Sequence, residues 1–473
     1  MGTKVTIGEE EVVIDPQLLF QRLLIIANSI DIGAFELWEY ELSIHPLAII
    51  TKNGQLRIVH DKANLTSHLT ELCKPESVSE DKDLILECTV LDMGSILHKV
   101  PWKKGDTYGK IIDDYVKRVK CYPGNCFAVF DGYNEKFSTK HSTHLHRSKK
   151  LIPSHKIELA RHLPFSCESK EAFLANKINK QAFIDMLSDA LNDDQRIKVL
   201  HAKDDADLLI ANTAINCAID KPTQVVCEDA DIFQLLINKL NVDSKPIYMV
   251  TDKGGAKNPC ININAIRAKL GDEYAKFLPV LHAISGCDTT SRLHGIGKIT
   301  VLNKSEKIFA EARPFLSPDA TPDEIENAGR RILCLIYDGR DNTFDLNKIR
   351  KRKFEKNVIK SLKHVDIQVL PPTNDAAKYH SFRVYHQVQV WQGNENLKPT
   401  EWGWKEVNDQ LFPRTMDKAP APDSLMKIIK CGCTLNCDTN KCTCKKHGLF
   451  CTDLCENCNE GNCINVDISD AVE

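Results

Sequence analysis

Between residues 85 and 310 short, nearly unbroken apolar runs alternate with stretches of helical periodicity. The runs are ILECTVL (85–91), NCFAVF (125–130), RIKVLHA (196–202), TQVVCE (223–228) and PIYMV (246–250). They are rich in β-branched residues and lack the polar alternation of a half-wet strand, the pattern of strands buried on both faces of a parallel sheet. Between them, TYGKIIDDYVKRVK (107–120), KEAFLANKINKQAFIDMLSDALN (170–192), ADLLIANTAINCAI (206–219) and ADIFQLLINKL (230–240) repeat apolar residues at helical spacing. The order predicts an α/β fold, an open parallel sheet with helices on both faces. Residues 1–84 read as a mainly helical region ending in the polar stretch CKPESVSEDKD (73–83). Residues 311–425 read as helical and charged, with LPPTNDAAKYHSFRVYHQVQVW (370–391) as a long helix opened by prolines and APAPDS (419–424) as a linker. A cysteine-rich segment, 426–466, follows.

Composition narrows the class without naming it. A chain of 473 residues with 27% charged residues and a net charge of −3 is long enough for several cores, and its charge balance alone does not call for nucleic acid. The most apolar long stretch, QLLFQRLLIIANSIDIGAF (17–35), contains Arg22, Asn28 and Asp31, so an amphipathic helix is expected there and no membrane partner. The start of the chain carries no basic-then-apolar leader, and MGTKVT matches the loose myristoylation pattern only as many soluble proteins do. An intracellular, reducing setting is expected. The basic run RKRKFEKNVIKSLK (350–363) reads as a solvated helix face or, alternatively, as a nuclear-localisation segment; the nucleus is the expected compartment, with the cytoplasm as the alternative.

Acidic residues recur at the carboxyl ends of the expected strands. Asp92 follows the first and Asp131 the second; Asp205 and Asp207 follow the third, and Asp229 and Asp231 the fourth. Asp288 lies later, in SGCDTTSRLHGIGK (285–298). Ligands collect at that edge of open α/β sheets. A two-metal site for phosphodiester cleavage needs several carboxylates to share the charge of two oxygen-preferring ions about 3.5–4 Å apart. Taken singly, Asp205, Asp207, Asp229 and Asp231 also read as helix N-caps. Capping does not account for Asp92 and Asp131 together with two D-x-D pairs and G-C-D.

These motifs resemble the flap endonuclease (xeroderma pigmentosum G-type) branch of the PIN-like nucleases. SGCDTTSRLHGIGK is similar to that family's G-C-D-Y-x-x-x-I-x-G-I-G-x-K segment, CEDAD to its E-D-x-D block, DDAD to its E-A-E block and VFDG to its second acidic motif. The resemblance covers about residues 85–310. It implies two Mg²⁺ or Mn²⁺ ions held by Asp92, Asp131, Asp205, Asp207, Asp229, Asp231 and Asp288. It also implies that Lys140 and Arg147, seven residues apart as in the family but two residues late, steer the scissile phosphate. Asp205 and Asp207 stand where the family has glutamates, shortening both ligands by a methylene. The family's Met-Gly segment has no counterpart before Asp92. LHGIGK resembles the hairpin of a helix-hairpin-helix element, in which Gly295 and Gly297 bring bare N–H groups to DNA phosphates and Lys298 adds charge.

Nine of the 19 cysteines, Cys431, Cys433, Cys437, Cys442, Cys444, Cys451, Cys455, Cys458 and Cys463, fall in the last segment. An odd count and two C-x-C pairs disfavour disulfides and favour zinc thiolates. Nine sulfurs serve three tetrahedral zinc ions if six are terminal and three bridge. The CTCKKHGLFC core resembles the CXC domain of the tesmin/TSO1 group, which implies a zinc cluster with Lys441, Lys445 and Lys446 as candidate DNA contacts. The combination resembles transposon-associated invertebrate proteins.

The expected protein is a metal-dependent nuclease acting on DNA, with a PIN-like domain at 85–310 and a CXC zinc domain at 426–466. The alternative is a catalytically inactive nuclease-fold DNA-binding or chromatin protein. RNA is the alternative substrate, and protein partners are not legible.

Overall fold

The computed structural model describes residues 3–7, 10–14, 17, 20–21, 23–25, 36–59, 63–73, 85–132, 139, 153–251, 260–338, 344–360, 365–394, 396–422, 431–434, 436–439, 441–446, 451, 455, 458 and 463–465. The expected α/β architecture is present. After a terminal hairpin of strands β1 (Thr3–Ile7) and β2 (Glu10–Ile14), six strands form one sheet: β3 (Cys88–Asp92), β4 (Asn125–Phe130), β5 (Ile197–His201), β6 (Thr223–Val226), β7 (Ile247–Val250) and β8 (Cys260–Asn262). Their order is β5-β4-β3-β6-β7-β8; all pairings are parallel except the antiparallel edge strand β8.

Period-two alternation sends each strand's side chains to two cores. Leu91, Ala128, Phe130 and Val226 join one apolar core with the helices Met93–Lys99, Tyr108–Lys120 and Lys177–Asn192. Val90, Val129 and Val225 join the opposite core, with the helices Asp207–Cys217, Ala230–Lys239 and Ile263–Ile284. Both faces are covered over the central strands β3, β6 and β7, which is why these read as apolar runs, while the edge strand β5 keeps Lys198 and His201 exposed.

Topology then locates the functional edge. The chain builds outward from β3 through β4 to β5, returns to β6 on the other side of β3, and continues to β7. The gap between β3 and β6 is a topological switch point, where a crevice opens beyond the carboxyl ends of the strands. Asp92 ends β3, and Asp229 stands three residues beyond β6.

Three expectations are corrected. The first 84 residues are not mainly helical among the described residues: TKVTI and EEVVI pair as an antiparallel hairpin, their β-branched residues favouring strands. The stretch 170–192 is two helices, Lys170–Ala175 and Lys177–Asn192, because Asn176 leaves the helical region and caps the second, accepting from the Ile178 and Asn179 amides. The region 311–425 contains helices Pro322–Asp338, Leu346–Lys360 and Asn374–Gln392 but also a hairpin of β9 (Trp404–Val407) and β10 (Gln410–Pro413), turned by Asn408 and Asp409, both at positive φ.

The larger core runs from Ala48 to Leu411, crossing the boundaries that composition suggests at 84 and 310. Residues 46–57 brace the loop that carries Asp288: the His294 amide donates to the Ala48 carbonyl at 2.8 Å, and Arg292 to that of Arg57 at 2.9 Å. Further along, the buried Arg350 guanidinium lies 3.3 Å from Glu41, donates to the Glu41 and Pro371 carbonyls, and sits opposite the Thr373 amide that donates to Glu41 Oε1 at 2.7 Å.

Candidate functional site

Strand ends and helix starts together place the acids. Asp92 is both the last residue of β3 and the N-cap of Met93–Lys99, its Oδ1 accepting from the Ser95 amide at 3.1 Å. Asp131 follows β4 and accepts through Oδ1 from the Ala206 amide at 3.2 Å, which ties the β4 end to the loop after β5. In that loop Asp205 is half-buried, and Asp207, buried, opens the helix Asp207–Cys217 without a side-chain cap at Ala206. Asp229 caps the helix Ala230–Lys239, its Oδ1 accepting from the Asp231 amide at 2.8 Å. The capping and ligand readings of Asp92 and Asp229 are thus compatible, since the cap engages one oxygen of each.

Electrostatics shows which acids share a neighbourhood. Burial pushes the Asp92 carboxyl up to about 7, and the charges of Asp131 and Asp229 add to the rise. Burial, then the charges of Asp92, Asp229 and Asp207, push the Cys227 thiol well up, so it is neutral and inert. A Cβ built on Gly94 would sit 3.1 Å from both Asp131 Oδ2 and Asp92 Oδ1, so the glycine leaves the two carboxylates room to converge. Asp92, Asp131 and Asp229, from three chain segments, are therefore electrostatic neighbours at the switch point, and Asp92, Asp229 and Asp207 all bear on Cys227 beside it. Asp231 and Asp288 lie alongside. Asp231 is 1% exposed and its charge raises the buried Cys287 thiol, after the larger effect of burial, while Asp288, next to Cys287, is also buried. At Asp92 burial and nearby charge disfavour ionisation, a divalent cation would relieve both, and a set of carboxylate oxygens fits Mg²⁺ or Mn²⁺. Among the described residues, the sets of ligand atoms lying all within 4.8 Å of one another are cysteine sulfurs; the carboxylates are spread more widely.

The loop 285–297 links the helix Ile263–Ile284 to the short helix Lys298–Leu302, as expected of a hairpin between helices. Gly286 has φ +110°, and a Cβ there would lie 2.7 Å from Arg292 Cα, so glycine is required at this tight return. Gly295 (φ +71°) and Gly297 are exposed, with open space where a Cβ would be. Lys298 is not on that surface. Its side chain is buried, and Nζ reaches inward to His282 Nδ1 (3.1 Å), the His282 carbonyl (3.1 Å), Ser285 Oγ (3.2 Å) and the Gly286 carbonyl. The assignment of Lys298 to DNA is corrected: four inward acceptors hold the ammonium. Lys140 and Arg147 lie outside the described residues.

Two basic residues escaped the sequence reading. Lys180, on the helix Lys177–Asn192, has its pKa lowered by burial, while Asp131 and Asp92 act in the opposite direction, which puts this cation beside the acids. His282 donates or accepts at Nε2 with Asp231 Oδ1 at 2.6 Å, both side chains buried. Neither had a signal: Lys180 is one lysine on a polar face, and His282 is a lone histidine inside the apolar run FLPVLHAI. The described part of the basic run, 350–360, is partly engaged by the fold. Arg350 is buried, Arg352 pairs with Asp338 at 3.1 Å, and the Lys353 ammonium lies 4.8 Å from the Tyr337 ring centroid.

The cysteine cluster is a second candidate metal centre. All nine sulfurs occur in the four ligand groups Cys431/Cys451/Cys455/Cys458, Cys431/Cys433/Cys437/Cys442, Cys431/Cys442/Cys444/Cys451 and Cys437/Cys451/Cys458/Cys463. Neighbouring Sγ atoms are 3.5–3.8 Å apart. A tetrahedron with Zn–S bonds of about 2.3 Å has edges of roughly 3.8 Å, and a disulfide about 2.05 Å, so the spacing suits thiolates around zinc. The groups overlap, so several sulfurs lie within reach of more than one tetrahedron, as sulfur sharing between zinc ions requires. The cluster is docked, not free: it shares an apolar core with Phe20, Leu23, Trp38, Leu42, Ile367 and Leu370. Lys441 is exposed, Lys445 donates to the Asp438 carbonyl at 2.6 Å, and the side chain of Lys446 lies outside the described residues.

No protein-family model matches the chain, and no curated protein matches it. Among solved structures the chain is similar to two described as the catalytic core of Rad2 in complex with DNA substrate, complexes II and III. Identity is 14% and 13%, coverage is 70% of this chain in each case and 97% and 96% of those chains, and the TM-scores are 0.34 and 0.33. At such values the fold assignment rests on the sheet topology and the two cores described above.

Proposed function

We propose that this chain is a divalent-metal-dependent nuclease that hydrolyses phosphodiester bonds in DNA. The observation that carries the reading is the placement of Asp92, Asp131, Asp207 and Asp229 at the carboxyl edge of the parallel sheet, with Asp92 near enough to Asp131 and Asp229 to feel both charges. Asp205, Asp231 and Asp288 complete the ligand set. Two Mg²⁺ or Mn²⁺ ions held there would supply an activated water and charge stabilisation at the leaving oxygen. The chain's own residues do the rest. Asp92 gives up its proton on taking a cation, since its carboxyl otherwise stays largely protonated up to about pH 7. Lys180, beside Asp92 and Asp131, offers positive charge to a phosphate bound across the pocket. The exposed backbone of Gly295 and Gly297 is suited to approach duplex phosphates away from the cut. In the tail, nine thiolates hold three zinc ions, and exposed Lys441 adds affinity for DNA.

The test is cleavage of labelled flap, nicked and single-stranded DNA, with single-stranded RNA as a parallel arm, in Mg²⁺ and in Mn²⁺, with Asp229→Asn as control. Metal-dependent DNA cleavage lost in the variant is expected. Absence of cleavage with DNA binding retained would overturn the nuclease reading in favour of a DNA-binding scaffold. Cleavage of RNA alone would overturn the DNA assignment.

A further inference from the structure

Behind the acidic pocket lies a buried polar chain that ligand binding by the carboxylates does not by itself require. Asp231 Oδ1 meets His282 Nε2 at 2.6 Å, and His282 Nδ1 meets Lys298 Nζ at 3.1 Å. Asp231, His282 and Lys298 are 1%, 1% and 7% exposed. An ammonium has donors only, so the Lys298 contact makes Nδ1 the acceptor, leaving the ring proton on Nε2 and directing it at Asp231. Lys298 is itself pinned by the carbonyls of His282 and Gly286 and by Ser285 Oγ, whose hydroxyl donates to the Leu281 carbonyl at 2.8 Å. The imidazole also leans on Trp391, with ring centroids 5.8 Å apart, so its plane is fixed by packing as well as by hydrogen bonds.

We propose that His282 is a positioning residue for the cation site. Its Nε2–H holds one oxygen of Asp231 and so aims the other at the pocket, and Lys298 locks the ring in the tautomer that can donate. The need is physical. Asp231 stands in the first turn of the helix Ala230–Lys239, behind the Asp229 cap, and an acid this buried would otherwise turn towards any available donor. A carboxylate with one oxygen fixed by an N–H presents the other at a defined angle, and such outer partners set metal affinity by about 10–100-fold. The arrangement also gives Lys298 its role: it opens the helix that follows the Gly295–Gly297 turn, so the turn and the cation site share one buried support.

This inference rests on the cation-site reading of the proposed function. The experiment is Mn²⁺ binding to the full-length, zinc-loaded protein, followed by the spin-resonance signal of free Mn²⁺, for the wild type, His282→Leu, His282→Gln and Lys298→Met, each checked by thermal melting. Glutamine can place an amide N–H near the Nε2 position, whereas leucine cannot. We expect His282→Leu to weaken Mn²⁺ binding about 10–100-fold, with His282→Gln keeping most of the affinity and Lys298→Met falling between them. Wild-type affinity in a folded His282→Leu protein would overturn the proposal, as would equal losses in His282→Leu and His282→Gln. If His282→Leu does not fold, wild-type affinity in Lys298→Met overturns it. No Mn²⁺ binding by the wild type would instead remove the cation site, and this proposal with it.

Discussion

Asp92→Asn separates the cost of the acidic pocket from its use. The Asp92 carboxyl is raised from its ordinary 3.8 to about 7, chiefly by burial. In the unfolded chain it ionises near its ordinary value, so between roughly pH 4 and 7 the unfolded state holds fewer protons than the native state. Metal-free stability must therefore fall as pH rises through that window. At 1.36 kcal/mol per decade of acidity constant the full penalty is on the order of 4 kcal/mol, reached above about pH 7 and absent below about pH 4. Asparagine removes the charge, keeps the shape, and can still cap the helix through its amide oxygen. In EDTA at pH 8, urea denaturation should find Asp92→Asn more stable than the wild type by roughly 2–4 kcal/mol, the margin narrowing to about 1–2 at pH 5. Adding Mn²⁺ should reverse the order, because the wild type gains binding energy that the variant lacks. A variant no more stable than the wild type in EDTA at pH 8 would refute the reasoning, since it would mean that burial of this carboxylate carries no cost.

Three further outcomes are expected. On the proposed function, Lys180→Met should lower DNA cleavage by about 10–100-fold with the melting temperature little changed, because it removes the cation beside Asp92 and Asp131; equal cleavage rates would exclude that role. Gly286→Ala should destabilise the protein by roughly 2–4 kcal/mol in urea denaturation, because φ is +110° and the added methyl would meet the Arg292 backbone. Colorimetric titration of metal released by a thiol reagent should return about three zinc ions per chain, and their removal should change tryptophan fluorescence, because Trp38 shares the cluster's core.

The parts of this fold that the sequence displayed are those governed by local chemistry. Buried strands announce themselves because both faces are dry, so Val90 and Leu91 are apolar for different cores. Asp92, Asp131 and Asp229 were legible because each closes an apolar run. Lys298 was misread for the same reason it was noticed: a lysine after a glycine turn looks solvated, and only the return of the chain at Gly286 brings four acceptors to its ammonium. His282 and Lys180 draw their significance from partners 51 and 49 or more positions away, which no periodicity encodes. The terminal hairpin was missed because the β-branched residues of TKVTI and EEVVI lie directly before the helical periodicity of QLLFQRLLIIANSI and were subsumed under it.

The bracing of the Asp288 loop by residues 46–57 has a bearing on how such a protein can be cut and recombined. A fragment beginning at residue 85, where the sheet starts, would lose the Ala48 and Arg57 carbonyls that receive the His294 and Arg292 amides. It would also take from the buried Arg350 guanidinium both the Glu41 carboxylate and the Glu41 carbonyl, leaving it the Pro371 carbonyl. The six-stranded sheet is therefore not a cassette. Its front edge is scaffolded by a segment that precedes it in the chain, and a transplant or minimal version has to carry that segment along.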